Sequence, residues 1–439
     1  MSNKNWRPVY PVKVWHGVIA VGTGLDGARL GDASGHATGI TMTQRKFGLG
    51  CWWPIILAAV LVCGLRAGAA ENESEWIKNS LASPGDSARL EQVMAKARRG
   101  ESVTVGVIGG SITQGAKASK PENRYANLVA AWWRKTFPHS KIKFINAGIG
   151  ATGSNYGALR ARRDLLAYNP DFVVVDFAVN DSLALKQAAA ETLEGLIRQI
   201  LSQTNQPAVV LLFMMRNDGT NIQEWHGKVG AHYGLPMVSY RDALWPQIQA
   251  GHLKWEAVGA DYIHPNDHGH AFAASCIISL LENTLHGLPA DPLLPAIKPM
   301  PAPLFSDLFE HTALFEGEAL HPVSNQGWTY DTKSKGWTSE QPGSVIEFEL
   351  EGRVFYSMHH VVRSDMGKAR VTVDGVAGKE LNGWFDQTWG GYRQSNEILR
   401  QPHSGKHRVR FELLPDNSPG STGHRFVILG LGAAGVPEH

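Results

Sequence analysis

The sequence has few cysteines, little net charge and no apolar run long enough to cross a membrane comfortably. Three cysteines among 439 residues do not suggest a fold built on disulfides. A formal net charge of +2 without a long basic run gives no indication of nucleic-acid binding. With 43% apolar and 19% charged residues, the composition is that of a globular protein, and the length suits two domains.

The apolar stretch at 52–65 has the shape of a secretory signal, although a membrane anchor or a buried helix is the alternative. It is preceded by Arg45 and Lys46 and followed by small residues suited to cleavage. We therefore expect residues 1–41 to be a non-native or misassigned extension and residues 42–70 to be a signal peptide. The mature protein would be secreted or periplasmic, without stable membrane insertion.

From about residue 90, short apolar runs alternate with segments of helical periodicity. Such alternation predicts a parallel sheet with helices on both faces. The predicted strands are 103–109, 141–147, 172–178, 208–214 and 237–240. In sheets of this kind, ligands bind at the carboxyl ends of the strands, so we expect the functional residues to lie directly after these runs.

The most informative segment runs from Val103 to Gly115, where a strand leads into Gly109, Gly110 and Ser111. Two glycines allow a sharp turn that can expose a serine to a ligand. Taken alone, Ser111 is as readily an ordinary turn serine. The α/β-hydrolase pattern Gly-x-Ser-x-Gly is absent, because Thr113 stands where its second glycine would be, which favours a different serine-hydrolase fold.

Three further segments contain the groups that a reactive serine needs. Gly148-Ile149-Gly150 follows one predicted strand, Asn180-Asp181 follows another, and Asp261 stands three residues before His264. A histidine can take the serine proton, and a carboxylate can orient the imidazole. Singly, the alternatives are a helix cap for Asn180 and a loop histidine for His264. Together and in this order, the segments favour a hydrolase.

These four segments resemble those of the SGNH hydrolases, the GDSL-like esterase and lipase superfamily, over roughly residues 90–285. The resemblance implies a flavodoxin-like three-layer α/β fold. It also implies specific roles: Ser111 as nucleophile and backbone oxyanion donor, Gly150 as a second backbone donor, Asn180 as a side-chain donor, Asp261 as orienting acid and His264 as base. This chain departs from the family pattern in reading Gly-Gly-Ser-Ile at the serine and in carrying Ala178 in the third segment.

Further residues are weaker candidates for the same site. Gly148 is an alternative to Gly150 and could contact substrate, while Gln223 and His226 could line the rim of the pocket, although an ordinary helix start is the alternative. A metal site is the alternative for a second set of residues: Asp261, His264, Asp267, His268 and His270. Because zinc sites need three or four converging ligands, and His268 and His270 suit the first turn of a helix, we expect neither a metal nor a cofactor.

Residues 289–303 are rich in proline and predict a linker or a strap between a hydrolase domain at 71–288 and a second domain at 304–439. In the second domain, short alternating runs separated by glycine and aspartate predict an antiparallel β-sandwich. It resembles the jelly-roll modules attached to carbohydrate esterases. Trp384, Trp389 and Tyr392 could stack on sugar rings, although core packing is the alternative for such side chains.

The expected function is therefore a serine esterase that removes short acyl groups, acetyl in the first place, from a polysaccharide or oligosaccharide. A lipase, a thioesterase or an O-acetyltransferase of the same superfamily is the alternative within this class of enzyme. A catalytically silent glycan-binding protein is the alternative of another class, for which the second domain would supply the function.

Overall fold

The computed structural model describes residues 73–290 and 293–437. The predicted extension at 1–41 and the predicted signal peptide at 42–70 lie outside these ranges. Within them, no helix is long and apolar enough to cross a membrane. Residues 293–303 have no regular secondary structure, and Arg198 and His232 donate hydrogen bonds of 2.8 Å to the carbonyls of Pro301 and Ala302 in this segment.

In the described residues of the first half, six strands form one sheet in the order β1-β6-β5-β4-β2-β3. The strands are β1 (Leu81–Ser83), β2 (Val103–Gly109), β3 (Ile142–Gly148), β4 (Phe172–Asp176), β5 (Ala208–Phe213) and β6 (Met237–Ser239). All neighbours from β2 to β6 pair in parallel, and β1 pairs antiparallel with β6. The five parallel strands thus have the flavodoxin-like order 2-1-3-4-5, which confirms the predicted fold class.

Helices cover both faces of this sheet. They are α1 (Ala88–Arg98), α2 (Ser111–Gln114), α3 (Tyr125–Thr136), α4 (Ser154–Asp164), α5 (Lys186–Leu201), α6 (Gln223–His232), α7 (Tyr240–Gln249), α8 (Trp255–Val258) and α9 (Asp267–Gly287). Because both faces are buried, the central strands read as continuous apolar runs. In β4, for example, Phe172 and Val174 pack into one layer, and Val173 and Val175 pack into the other.

In the described residues of the second half, nine antiparallel strands pair with one another. They are β7 (Thr312–Glu316), β8 (Ser324–Gln326), β9 (Thr329–Asp331), β10 (Gly336–Ser339), β11 (Val345–Val361), β12 (Gly367–Val373), β13 (Val376–Asn382), β14 (Tyr392–Asn417) and β15 (Phe426–Ala434). The predicted β-sandwich is confirmed. Its core contains the alternating residues of the sequence pattern, such as Ile346, Phe348, Val371, Val409 and Phe411.

Strand β11 is long and pairs with different strands along its length. Its first residues pair with β8, and its residues from Val354 to His359 pair with β15. In the pairing with β14, Gly352 lies opposite Gly405 and Val354 lies opposite Arg400, so the extra residues of this irregularity stand in β14. The second half of β11 packs against the α/β domain.

The two domains share a hydrophobic core. Val354, Tyr356 and Met358 of β11 pack with residues of α4 and α5, whereas Phe355 between them faces the interior of the sandwich. The fully buried Phe309, which precedes β7, lies in the same interdomain cluster. The sandwich is therefore packed on the α/β domain and is not merely tethered to it.

We expect Gly195→Ala to destabilise the protein. A Cβ on Gly195 of α5 would lie 2.1 Å from the Cβ of Phe309, so the interdomain packing would have to shift. The cost of such overpacking, about 1–3 kcal/mol, exceeds the roughly 1 kcal/mol that alanine gains over glycine inside a helix.

Gly227→Ala in α6 is the matched control, because no atom lies within 4 Å of the added Cβ. Chemical denaturation should give it an equal or higher free energy of unfolding than the parent protein. An equal or higher value for Gly195→Ala as well would mean that the Phe309 contact does not constrain the interface.

Candidate active site

The two glycines before Ser111 are explained by the side chains of Thr113 and Asn180, which pack directly against their backbone. A Cβ on Gly109 would lie 2.2 Å from Thr113 Oγ1, and one on Gly110 would lie 2.2 Å from Asn180 Oδ1. No larger residue fits at either position without displacing these groups. The chain can therefore leave β2, turn within one residue and begin α2 with Ser111 half-buried at the carboxyl edge of the sheet.

The structure brings Ser111, His264 and Asp261 into one hydrogen-bonded chain. His264 Nε2 lies 2.8 Å from Ser111 Oγ, and His264 Nδ1 lies 2.8 Å from Asp261 Oδ2. A carboxylate at Nδ1 favours the imidazole tautomer whose Nε2 accepts a proton. This arrangement can therefore remove the proton from the serine hydroxyl.

Asp261 is held in place by the backbone that follows it. Its Oδ1 accepts hydrogen bonds from the N–H groups of Ile263 and His264, at 3.0 and 2.8 Å. Partial burial opposes ionisation, but these donors and the His264 ring outweigh it and keep the pKa of the Asp261 carboxyl below its usual value. The carboxyl is thus charged where it meets the imidazole.

The candidate oxyanion donors lie on the other side of Ser111. A Cβ on Gly150 would lie 3.8 Å from the Ser111 Cβ, which places the loop after β3 beside the serine. Asn180, in the turn after β4, lines the same cavity, and its Oδ1 is buried without a hydrogen-bond partner among the described residues. Backbone and amide N–H groups in such positions can stabilise the charge that develops on an ester oxygen.

The cavity above Ser111 has a volume of about 960 Å³ and is walled by both domains. The sandwich contributes His360, Trp389, Tyr392 and Arg393. Trp389 is 60% exposed, and its ring stacks on that of Tyr392 with centroids 5.4 Å apart. Two of the three predicted aromatic candidates therefore lie at the site.

The third aromatic candidate, Trp384, lies elsewhere. It packs into the interdomain hydrophobic cluster and against Gly420, where an added Cβ would lie 2.2 Å from its ring. We therefore withdraw the prediction that Trp384 contacts substrate. Core packing, the alternative reading, accounts for this side chain.

Gly148, Gln223 and His226 also lie away from the cavity. Gly148 ends β3, where its missing side chain lets the strand approach the backbone of Gln114 in α2. Gln223 is buried between Asp242 and Ser239, at 2.6 and 2.7 Å. The predictions that these three residues contact substrate are therefore corrected. Close packing accounts for Gly148, internal hydrogen bonds account for Gln223, and a buried hydrogen-bonded pair accounts for His226.

His226 is paired with Asp181. His226 Nε2 lies 3.0 Å from Asp181 Oδ2. Asp181 Oδ1 also accepts a hydrogen bond of 2.7 Å from the N–H of Ser154 at the start of α4. Because Asp181 directly follows Asn180, these two bonds fix the turn that carries Asn180.

The histidines of the metal alternative have separate partners. His268 Nε2 lies 2.7 Å from Glu73 Oε1, and His270 Nε2 donates to the carbonyl of Ala116 at 3.0 Å. Throughout the described ranges, no group of three or more His, Cys, Asp or Glu side chains is placed to hold a metal ion.

Four further residues that line the cavity were not predicted from the sequence: Tyr262, Lys117, His360 and Arg393. Tyr262 is 65% exposed and lines the cavity between Asp261 and His264, so its position in that motif was an available signal. Lys117 Nζ lies 3.8 Å from Asp261 Oδ2. His360 and Arg393 stand in strands with no distinguishing motif, and only the packing of the two domains brings them to Ser111.

Comparisons with known proteins agree with this geometry. Residues 107–272 match the model of the GDSL-like lipase/acylhydrolase family. A two-domain esterase (CEX) active on acetylated mannans, known from a crystal structure, has 33% sequence identity to this chain and a TM-score of 0.75. The match covers 83% of this chain and 99% of the esterase chain. This chain belongs to the GDSL-like lipase/acylhydrolase family.

Two further relatives of this acylhydrolase illustrate the range of the family. A structure of a two-domain esterase (CEX) active on acetylated mannans, co-crystallised with mannopentaose, is 32% identical with a TM-score of 0.73. The thioesterase 1/protease 1/lysophospholipase L1 of Escherichia coli strain K12 is 23% identical over 185 residues, which are 41% of this chain and 83% of that protein. The chain is thus an SGNH-type ester hydrolase that resembles carbohydrate acetylesterases.

Directly beneath the serine turn, this acylhydrolase buries a carboxyl group that the sequence analysis did not single out. Asp176, the last residue of β4, is fully buried and accepts a hydrogen bond of 3.1 Å from Thr113 Oγ1. The pKa of Asp176 is raised to about 7, chiefly because burial disfavours the charged carboxylate. The Thr113 hydrogen bond opposes this shift, and the negative charge of the neighbouring Asp181 adds to it.

We expect Asp176→Asn to reduce the pH dependence of stability. Between the ordinary pKa of 3.8 and about 7, the folded protein holds a proton that the unfolded chain releases, so Asp176 contributes less stability as pH rises through this range. The asparagine cannot titrate. The difference in Tm between the variant and the parent protein, measured by calorimetry, should therefore shift in favour of the variant as pH rises from about 4 to about 7. Parallel Tm curves would mean that Asp176 is ionised throughout.

Proposed function

We propose that this chain is a secreted or periplasmic serine esterase that removes acetyl groups from a polysaccharide or oligosaccharide. The observation that carries the proposal is the continuous hydrogen-bonded chain from Asp261 through His264 to Ser111. These three residues line one cavity together with the aromatic side chains of Trp389 and Tyr392.

In acylation, Ser111 Oγ attacks the carbonyl carbon of the ester while His264 Nε2 takes the hydroxyl proton. The carbonyl oxygen becomes negative, and the N–H groups of Ser111 and Gly150 together with the Asn180 amide stabilise it. His264 then gives the proton to the departing sugar oxygen, which leaves an acetyl-serine. Asp261 stabilises the imidazolium during both transfers without itself taking a proton.

Deacylation repeats these steps with water. His264 Nε2 takes a proton from a water molecule, whose oxygen attacks the acetyl carbon, and the same donors again stabilise the charged oxygen. Return of the proton to Ser111 Oγ releases acetate and restores the enzyme. The side chains described here supply each of these proton transfers.

The shape of the site favours a chain-like substrate. The cavity above Ser111 shares Ala151, Asn180, Tyr392 and Arg393 with a second cavity of about 740 Å³, which continues between α5 and β14. A relative with the same two-domain organisation is active on acetylated mannans. An exposed ring such as Trp389 can stack on a sugar ring, and its location beside the serine would hold the acylated residue there.

The proposed site of action outside the cytoplasm rests on the substrate and on the predicted signal at 42–70. A polymer of this kind is deacetylated where it is accessible to the enzyme. Sequencing the amino terminus of the exported protein tests this part of the proposal, with a start near Ala70 or Glu71 expected.

We expect Ser111→Ala to abolish ester hydrolysis and to leave the fold intact. The substitution removes the nucleophile from a half-buried turn, and loss of such a group costs on the order of 10⁴- to 10⁶-fold in turnover. Hydrolysis of an aryl acetate and release of acetate from acetylated mannan should both be measured. Ser202→Ala, at an exposed serine after α5, is the control and should keep its turnover.

A folded Ser111→Ala enzyme with more than about a tenth of parental turnover would exclude Ser111 as the nucleophile. If the parent enzyme prefers long-chain esters to acetylated glycans, the reaction class stands and the proposed substrate is wrong.

We expect Trp389→Ala to weaken capture of acetylated polymer. Loss of one stacked ring should raise KM for acetylated mannan by about 5- to 10-fold, in line with about 1 kcal/mol for an aromatic contact, and leave aryl acetate turnover unchanged. Tyr168→Ala removes a ring that is 53% exposed and far from the site, near the amino end of β4, and is the control. Equal KM values for the polymer in all three proteins would make Trp389 incidental.

A further inference from the structure

Arg160 is a buried cation that takes no part in the hydrogen-bonded chain at Ser111. It lies in α4, and its side chain is 0% exposed. Its Nη1 lies 3.2 Å from Asp164 Oδ2, and its Nη2 donates a hydrogen bond of 3.1 Å to the backbone carbonyl of Gly109. A buried charge of this kind is retained only where its partners compensate for lost solvation.

The Gly109 carbonyl is the point at which two segments of the site meet. Gly109 ends β2 and stands two residues before Ser111. Its carbonyl also accepts a hydrogen bond of 3.1 Å from the N–H of Ile149, the residue before Gly150. One oxygen with two donors therefore relates the turn that carries the serine to the loop that carries the candidate oxyanion donor.

We propose that Arg160 is a positioning residue for the oxyanion site, because its guanidinium holds the Gly109 carbonyl to which the Ile149–Gly150 loop is also bonded. This inference rests on the proposed function, since it assumes that Ser111 and Gly150 act in the reaction. Arg160 touches neither Ser111 nor the substrate in this role.

The partners of Arg160 extend from α4 to the sandwich wall of the cavity. Its guanidinium lies 5.5 Å from the ring centroid of Tyr156, and that of Arg393 lies 5.0 Å from the same ring. The Tyr156 hydroxyl donates to Glu316 Oε1 at 2.9 Å, and Glu316 pairs with Arg393 at 2.8 Å. Arg393 lines the cavity. The Tyr156 ring therefore connects Arg160, which holds the Gly109 carbonyl, to the sandwich wall of the cavity.

Removing Arg160 should weaken catalysis more than it weakens binding. In Arg160→Gln, the Gly109 carbonyl keeps its bond from Ile149, and Asp164 keeps Arg163 at 2.6 Å, so neither group loses all its partners. We expect kcat for an aryl acetate to fall by about 10- to 100-fold, the scale of a small misplacement of reacting groups, with KM unchanged. Arg160→Lys keeps the charge but not the forked geometry and should give an intermediate kcat.

Arg163→Gln is the matched control. Arg163 shares the carboxylate of Asp164 with Arg160, at 2.6 Å, and it also pairs with Glu316 at 2.7 Å. Its side chain is 51% exposed, and among the described residues it makes no hydrogen bond to Gly109. It should keep the parental kcat. The rate at which an aryl phosphonate inactivates each protein is a second measurement, because phosphonylation of Ser111 uses the same oxyanion donors without turnover. This inactivation rate should fall in parallel with kcat in the Arg160 variants and stay at the parental value in Arg163→Gln.

Parental kcat and phosphonylation rate in folded Arg160→Gln would overturn the proposal, as would an equal loss in Arg163→Gln or a rise in KM alone. If Arg160→Gln does not fold, folded Arg160→Lys with parental kcat would overturn it. Failure of this proposal can be told apart from failure of the proposed function. If the proposed function is wrong, Ser111→Ala keeps its turnover, whatever the result for the Arg160 variants.

Discussion

Burial on both faces of strand β15 and of the second half of strand β11 is the constraint on which the two-domain structure depends. One set of their side chains fills the sandwich, and the alternate set, with Met358 and Leu429 among them, packs toward the α/β domain. A strand buried on both faces cannot slip by one residue without placing every side chain in the wrong layer. The sandwich is therefore fixed relative to Ser111, and a cavity with walls from both domains can keep one shape.

The proposed triad of Ser111, His264 and Asp261 combines one local and one distant contact. Asp261 and His264 are three residues apart, and the Asp261 carboxylate caps the backbone of the turn that carries the histidine. Ser111 is 153 residues away and reaches His264 only because β2 ends at the same edge of the sheet. The Asp261–His264 contact therefore depends on one short turn, whereas the Ser111–His264 contact depends on the whole sheet.

The fold and the centre of the site could be predicted because their signals are local. Strands buried on both faces are continuous apolar runs, so the five parallel strands were found to within two residues. The prediction that one of them reaches residue 178 was too long, because residues 178–180 form a turn after Asp176. Segments with glycine, serine, asparagine or histidine after such runs could likewise be recognised from composition and order.

The rest of the site could not be predicted, because it depends on packing between distant segments. Polar side chains in the first turn of a helix can serve structure or substrate equally well. For Gln223 and His226 in α6, hydrogen bonds to Asp242 and Asp181 decide the role, and no sequence spacing reveals these partners. Trp384 and Trp389 are five residues apart in one loop. Trp384 is half-buried against the interdomain cluster, whereas Trp389 is exposed in the cavity that Ser111 also lines. Arg393 reaches the cavity only through the domain interface.

The most direct test of the account is to identify the residue that carries the acyl group during turnover. The enzyme would be mixed rapidly with an aryl acetate and quenched in acid at the time of the initial burst, and its peptides would be analysed by mass spectrometry. The account predicts acetyl on the peptide that contains Ser111, located on the serine oxygen and absent from Ser111→Ala. Acetyl on a different side chain that forms and decays at the rate of turnover would contradict it.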